Sequence, residues 1–236
     1  MTSAIDIKDE LFATAVPGKQ EILSSFYKTG PGDYAEGDVF IGVPIPAQRS
    51  IVKTYQEMDL DEIHVLLGEE YHECRSTALL FLVHQFETGK TESVRKEIFN
   101  FYLAHTHCIN NWDLVDLSAP QIVGSFLTDK ERDVLYRLAE SKSLWEKRIA
   151  IVATLTFIKK GDFDDTLKIA ERLLSSKESL LQKATGWMLR EVGKRDYTTE
   201  YEFLKNHYND LSRTTLRYAI ERFDEPVRKS FLKGEL

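Results

Sequence analysis

The sequence predicts an all-α protein, and two observations support this fold class. Apolar residues recur at three- and four-residue intervals, which is the spacing of one helix face rather than the alternation of a strand. The segments with this spacing are long and charged on their opposite faces: LLFLVHQF, EIFNFYLAH, LWEKRIAIVATLTFI, DDTLKIAERLL and LLQKATGWMLREVG. Short stretches that supply Gly, Ser and Asp for caps and turns separate the predicted helices: TGKTES, KKGDFDD and SSKES.

In chain order, the first element is a helix at the amino terminus. MTSAIDIKDELF carries acids where a signal peptide would carry lysine or arginine before an apolar core, so it is typical of the mature protein. Residues 29–49, TGPGDYAEGDVFIGVPIPAQR, are rich in glycine and proline and predict a long loop after the first helices. Loops of this length are often functional or mobile, although a plain connector fits equally well.

A weak internal repeat organises the remaining helices. HECRSTALLFLVHQFETGK aligns with WEKRIAIVATLTFIKKGD so that Arg75 lies over Arg148, and LLQKATGWMLREVGKRD aligns loosely at a further shift of about 36 residues. Two helices with their turns fit this period, which is in the range of HEAT and armadillo arrays. Antiparallel pairs of this kind stack into a curved solenoid with a concave face, which predicts a single HEAT-like repeat domain over residues 1–236. An irregular helical bundle is the alternative.

Composition narrows the compartment and the partners. Hydrophobic residues make up 42% and charged residues 29%, as in globular proteins, and no apolar run approaches the roughly 20 residues that cross a bilayer. Cys74 and Cys108 lie in apolar helical patterns, so we expect a cytoplasmic protein without a disulfide. The net charge of −7 disfavours nucleic acid as a partner. However, residues 151–236 hold 16 Lys plus Arg against 14 Asp plus Glu. This composition is compatible with a basic groove on an otherwise acidic protein.

The stretch NNWDLVD, residues 110–116, is the strongest candidate for a functional site. Asn110 or Asn111 can cap a helix there, and Asp113 falls in its first turn, where the helix dipole favours a carboxylate. Trp112 and Asp116 are four residues apart and share a face. Two repeats later, Arg148 and Trp187 occupy a similar face. The purely structural alternative is that both tryptophans are core residues and that Asp116 pairs with Arg148 between repeats.

Other polar stretches predict less chemistry. In AHTHC, residues 104–108, the two histidines are two apart and do not face the same way on a helix, and no second ligand pair follows at zinc spacing. The sequence therefore predicts no metal site, and it contains neither a glycine-rich phosphate loop nor a recognisable nucleophile motif. DEIHVLLGEEYHE, residues 61–73, is typical of a solvated acidic helix face and turn.

Over residues 20–222 the chain resembles the DNA alkylation repair family, the AlkD-like alkylpurine DNA glycosylases built from HEAT-like repeats. SSFYKTG and FIGVPIPAQR resemble the amino-terminal helix and loop of the family, and YHECRSTALLFL resembles the helix that opens its middle repeats. The later landmarks follow in the same order: NNWDLVD, LWEKRIAIV with its arginine, and KATGWMLREVGK with a Gly-Trp-x-Leu-Arg run.

The resemblance implies that Trp112, Asp116 and Trp187 line the lesion site. It further implies that Arg148 binds the backbone beside the damaged nucleotide and that Tyr27 lies near the same groove. Three more residues match positions that touch phosphates: Arg49, Lys183 and Arg190.

One departure from the family pattern affects this assignment. The family often has two adjacent tryptophans where this chain has Asn111 and Trp112. We align Trp112 with the second of them, because this keeps the four-residue spacing to Asp116.

The implied activity is hydrolysis of the N-glycosidic bond of cationic N3- or N7-alkylated purines in duplex DNA by a monomer without cofactor. Asp116 would stabilise the sugar cation and position water. The alternatives are a non-catalytic HEAT-like DNA-binding protein and a protein-interaction scaffold.

Overall fold

The computed structural model describes residues 2–235, and this part of the chain is all-helical. No strand forms among these residues, and a single isolated β-bridge pairs Val39 with Tyr71. The all-α prediction is confirmed. No helix within residues 2–235 has both the length and the apolar character needed to span a membrane. The chain divides into two compact units, residues 1–122 and 123–236.

The first unit contains seven α-helices and a short 3-10 turn, Thr106–Cys108. The helices are α1 Ala4–Ala13, α2 Lys19–Tyr27, α3 Ile45–Tyr55, α4 Leu60–Leu67, α5 His72–Thr88, α6 Glu92–Ala104 and α7 Trp112–Ala119. Helix α1 begins at the capping box of Ser3 and Asp6, as expected for a helix at the amino terminus.

Helix α5 is the centre of the first unit and packs against α3, α4 and α7. Every residue from 72 to 83 is buried, so this part of the helix has no solvent face and its polar residues need partners inside the protein. His72 and Glu73, the polar residues at its start, therefore depend on hydrogen-bond partners from neighbouring parts of the chain.

The loop predicted over residues 29–49 ends earlier than expected. It follows α2 and spans residues 28–44, because Ile45–Arg49 already belong to α3. A proline at position 46 is compatible with a loop, but Pro46 lies in the first turn of α3, where a backbone N–H would have no partner within the helix.

The second unit contains eight α-helices and a 3-10 turn, Ile220–Arg222. The helices are α8 Asp133–Ala139, α9 Leu144–Ala153, α10 Leu155–Ile158, α11 Asp164–Leu173, α12 Ser179–Gly193, α13 Tyr197–Asn206, α14 Arg213–Ala219 and α15 Glu225–Lys233. A π-helix, Pro120–Gly124, follows α7 directly. Helix α12 is central, contacting α9, α11, α13 and α14. It approaches α14 closely because Gly186 has no side chain: a Cβ there would lie 2.5 Å from the carbonyl oxygen of Thr215.

Candidate functional site

Asn111 begins helix α7. Its side-chain oxygen accepts the backbone N–H of Trp112 at 2.8 Å, which confirms the predicted cap, and its Nδ2 donates to Asp38 Oδ2 at 3.0 Å. Asn111 therefore ties the start of α7 to the loop before α3. A tryptophan at this position, as in the family pattern, has no side-chain acceptor and could not receive the N–H of Trp112.

Asp113 lies in the first turn of α7, as predicted, but its carboxylate points into the first unit. Asp113 Oδ2 accepts the hydroxyl of Tyr27 at 2.9 Å and lies 2.8 Å from His72 Nε2. Burial and the negative charge of Asp113 both raise the pKa of Tyr27, so this hydroxyl stays protonated and donates. Asp113 is thus the meeting point of α2, α5 and α7.

His72 connects two carboxylates. Its Nε2 faces Asp113, and its Nδ1 lies 3.2 Å from Asp38 Oδ2. Burial disfavours the charged ring, but the hydrogen bonds and negative charges of both aspartates outweigh this effect and raise the pKa of His72 to about 9. At neutral pH His72 is therefore a buried imidazolium between two carboxylates.

Asp38 has a second cationic partner, Arg75, which also donates to the carbonyl oxygens of Glu69 and Glu70 at 2.9 Å. Burial alone would raise the pKa of Asp38, but the hydrogen bond from His72 and the charge of Arg75 hold it below its usual range. The prediction that residues 61–73 form a solvated acidic face was wrong for His72, because this residue is buried in the ion-pair network.

Glu73 is buried as well, so the prediction of a solvated face was also wrong for this residue. Its carboxylate accepts three consecutive backbone N–H groups, from Ile41 at 2.9 Å, Gly42 at 2.8 Å and Val43 at 3.1 Å. Gly42 has φ +101°, and a Cβ on it would lie 3.1 Å from the backbone nitrogen of Gln20. The loop is therefore fixed on α5 by charge-assisted hydrogen bonds.

Trp112 is half-buried and rests on this network. Its ring stacks on Tyr27 with centroids 5.4 Å apart and forms a T-shaped pair with Phe26, with centroids 6.0 Å apart. Its Nε1 donates to the hydroxyl of Tyr34 at 3.3 Å. Tyr27 in turn stacks on Phe40 at 4.9 Å. The indole is held by contacts from α2 and from the loop, with part of its surface left in solvent.

Asp116 lies one turn after Trp112 on α7 and is also half-buried. The two side chains share a face by their spacing, as predicted. Behind them, burial is the main factor that raises the pKa of Tyr102, against a hydrogen bond with Ser118, and the charge of Asp116 adds to the rise. The carboxylate of Asp116 is therefore near the protein interior as well as solvent.

Arg49 lies apart from Tyr27 and Trp112 within the first unit. It is exposed on α3 and lines a groove whose other walls are Val52, Lys53, Gln56, Leu80, Val83, His84 and Glu87. None of these residues belongs to the aromatic and ionic network of Trp112. The structure thus brings Tyr27, Trp112 and Asp116 into one region but not Arg49.

In the second unit, the predicted residues lie on α9 and α12. Arg148 is buried, and its guanidinium donates to the carbonyl oxygen of Leu180 at 2.6 Å. Lys183, Trp187 and Arg190 follow one another at four and three residues along α12, which places them on one face. All three are half-buried.

Acidic side chains hold two of these residues. Trp187 Nε1 donates to Glu191 Oε1 at 3.2 Å, and Arg190 forms an ion pair with Glu221. A third acid, Glu200, is buried against Gly193, and its Oε1 has no hydrogen-bond partner. Burial is the main cause that raises the pKa of Glu200 to about 8, against the lowering effect of Arg190.

Comparison with known proteins identifies the family. The model of a family described as DNA alkylation repair enzyme matches residues 7–223, which is most of the chain. The chain belongs to this family. A solved structure described as a predicted DNA alkylation repair enzyme from Enterococcus faecalis matches with a TM-score of 0.69 and 20% identity, covering 90% of this chain and 98% of that one. At this identity the likeness concerns the fold. No curated protein matches the chain.

In this member of the DNA alkylation repair family, the residues that sequence reasoning missed are the buried ions His72, Asp38 and Glu73. These residue types usually lie on the protein surface, and the partners of these three residues lie 30 or more positions away in the chain. One signal could have found His72 and Glu73. HECRST begins a helix whose continuation, ALLFLV, is apolar on every face, so the helix is central and its polar start must be buried.

Proposed function

We propose that this protein is a DNA glycosylase that releases cationic N3- or N7-alkylated purines from duplex DNA. The family is one of DNA alkylation repair enzymes. The observation that carries the finer proposal is the pairing of Trp112 and Asp116, an immobilised indole and a half-exposed carboxylate on one face of α7. The HEAT-like solenoid architecture, with the chain as one continuous domain, belongs to the same proposal.

Hydrolysis of this glycosidic bond requires mainly electrostatic stabilisation from the protein. A purine alkylated at N3 or N7 carries a positive charge, so breaking its glycosidic bond yields a neutral base and a general acid is unnecessary. The electrons of the broken bond leave with the base, and positive charge develops on the deoxyribose. A fixed carboxylate beside the sugar stabilises this cation and orients the water that attacks it.

Asp116 is the carboxylate that we assign to this role. Trp112 would contact the deoxyribose and attract the cationic base through its ring face. Its contacts with Tyr27 and Tyr34 limit its motion, so little ordering is needed when a nucleotide arrives. Buried Tyr27 would act on DNA through Trp112, by supporting the indole from behind.

The remaining roles fall to cations and to the second tryptophan. Trp187 would contact the damaged nucleotide, and Arg148 would bind the adjacent phosphate, for which a planar guanidinium suits bidentate hydrogen bonding. The other phosphate contacts are proposed for Arg49, Lys183 and Arg190. The proposed enzyme needs no metal or organic cofactor, because the charged base is already an adequate leaving group. We further propose that it acts as a monomer in the cytoplasm.

The test measures free base released from duplex DNA that carries 7-methylguanine, at saturating protein. We expect release well above the spontaneous rate, and a loss of about 100-fold for Asp116→Asn, the order found for removal of one electrostatic contact to a transition state. The matched control is Asp129→Asn, which changes an exposed aspartate of the second unit paired with Lys130 and should leave the rate unchanged.

Three outcomes are distinct. Release that depends on Asp116 supports the glycosylase. Binding to the damaged duplex without release above the spontaneous rate would favour the non-catalytic DNA-binding alternative. Absence of both would leave the interaction scaffold and overturn the proposal. Thermal unfolding of each variant confirms that the substitution has not altered folding.

A further inference from the structure

Phe26 is an exposed aromatic side chain next to the proposed site. It occupies the last turn of α2 and is 62% exposed, although a phenylalanine normally gains by burial. One turn earlier on the same face, Ile22 is 60% exposed. Single exposed apolar residues are common, but here two lie one turn apart on the same helix, and the second of them, Phe26, contacts Trp112.

The rings of Phe26 and Trp112 form a continuous surface. Phe26 meets Trp112 edge-on at 6.0 Å and 66°, and it meets Tyr27 at 5.1 Å and 87°. Tyr27 stacks against one face of Trp112, so the indole is supported on one side. Phe26 makes T-shaped contacts with both neighbours, while most of its own surface stays in solvent.

The properties of this surface indicate its occupant. An aromatic face beside the tryptophan that we propose to contact the nucleotide can stack on a base, and every base offers a π-face irrespective of sequence. Bases of an intact duplex are stacked on one another and unavailable, so the surface suits DNA whose stacking is already disturbed. Lys28, two residues further on, is exposed and supplies a positive charge for the flanking phosphate.

We propose that Phe26 binds an unstacked base next to the damaged nucleotide and so contributes to recognition of disturbed duplexes. This inference rests on the proposed function for its ligand, because Trp112 is taken to contact the lesion. It adds a stacking residue on α2, which none of the roles assigned above requires.

The experiment measures binding rather than catalysis. A duplex with a stable abasic-site analogue and an otherwise identical intact duplex are each titrated with the wild-type protein and with variants, and the ratio of the two dissociation constants is compared. We expect wild type to prefer the abasic duplex and Phe26→Ala to lose about tenfold of that preference, within the range measured for one base stacked on one ring.

Two further substitutions separate stacking from general apolar contact. Phe26→Tyr keeps the ring and should retain the preference, whereas Phe26→Leu keeps apolar volume without a π-face and should lose it. The matched control is Phe12→Ala, because Phe12 is also exposed and also packs edge-on against one aromatic residue, Tyr71, at 5.1 Å. This control should bind like wild type.

A wild-type preference that survives in Phe26→Ala, or an equal preference in Phe26→Leu and wild type, overturns the proposal. A wild-type dimer that becomes monomeric in Phe26→Ala would assign the surface to a second copy of the chain and would also overturn it. Base release is measured separately. No release together with a Phe26-dependent preference would reject the glycosylase and retain this inference, whereas release with a Phe26-independent preference would do the reverse.

Discussion

The buried imidazolium of His72 should make the stability of the first unit fall as pH rises. The folded-state pKa of about 9 lies above the ordinary value of 6.5. Below pH 6.5 both folded and unfolded states hold the proton, and the stabilisation is fully present. Between 6.5 and about 9 only the folded state holds it, so the free energy of unfolding decreases. Above about 9 the contribution is gone.

The size of this effect follows from the same interval. A rise from 6.5 to about 9, at roughly 1.4 kcal/mol per pH unit, corresponds to about 3 kcal/mol of unfolding free energy. The His72 side chain is only 3% exposed, so solvent screening reduces this little. A loss of that size is a large part of the stability of an ordinary domain.

The assay is urea unfolding over this pH range with Trp112 as the reporter. The variants Trp145→Phe and Trp187→Phe remove the other two tryptophans of the chain, and Glu200→Gln removes a second titration in the same range. In this background, His72→Gln keeps one hydrogen-bond donor but carries no charge, so its stability should be almost independent of pH between 6.5 and 9.

The reasoning is refuted by either of two results. The first is a wild-type unfolding free energy that stays constant across the interval. The second is a His72→Gln protein whose stability falls as steeply as that of wild type, because some other group would then be responsible.

Three further expectations concern the second unit. Because burial raises the pKa of Glu200 from 4.5 to about 8, stability should decline as pH rises through this interval, and Glu200→Gln should abolish the decline in a urea-unfolding series reported by Trp187. Glu221→Gln should release Arg190 from its ion pair and tighten duplex binding at low salt by about two- to fivefold, an advantage that disappears at high salt; unchanged affinity would contradict the role given to Arg190. Gly186→Ala should lower the unfolding free energy by about 1–3 kcal/mol, since its Cβ would lie 2.5 Å from the carbonyl oxygen of Thr215; thermal unfolding unchanged from wild type would contradict this.

The helices could be predicted from the sequence because burial of one helix face requires apolar residues at three- and four-residue intervals, and this spacing is visible in the sequence. The end of the loop before α3 could not be predicted, because Pro46 is compatible both with a loop and with a first helical turn. Only the packing of the surrounding chain determines which of the two forms. The cap at Asn111 was predictable because it depends on neighbouring residues alone.

The ionic network behind Trp112 was beyond sequence reasoning for a different physical reason. Isolated histidine and aspartate side chains are more stable in water than in a protein interior, and His72, Asp38 and Asp113 are buried here only because each meets partners from another part of the chain. Trp112 and Asp116 could be singled out from spacing. What fixes the indole in place could not, because Tyr27 and Tyr34 lie 85 and 78 positions earlier in the chain.

The carboxylate of Glu73 has a consequence for how this protein meets any large ligand. Consecutive backbone amides that point toward one concavity commonly bind an anion, and here the anion is a carboxylate of the protein itself, with one of its oxygens accepting from Ile41 and the other from Gly42 and Val43. The loop is thus permanently saturated with an internal ligand. Residues 41–43 have already lost their backbone conformational entropy during folding, so that loss is not subtracted again from the binding free energy if this part of the loop contacts a ligand.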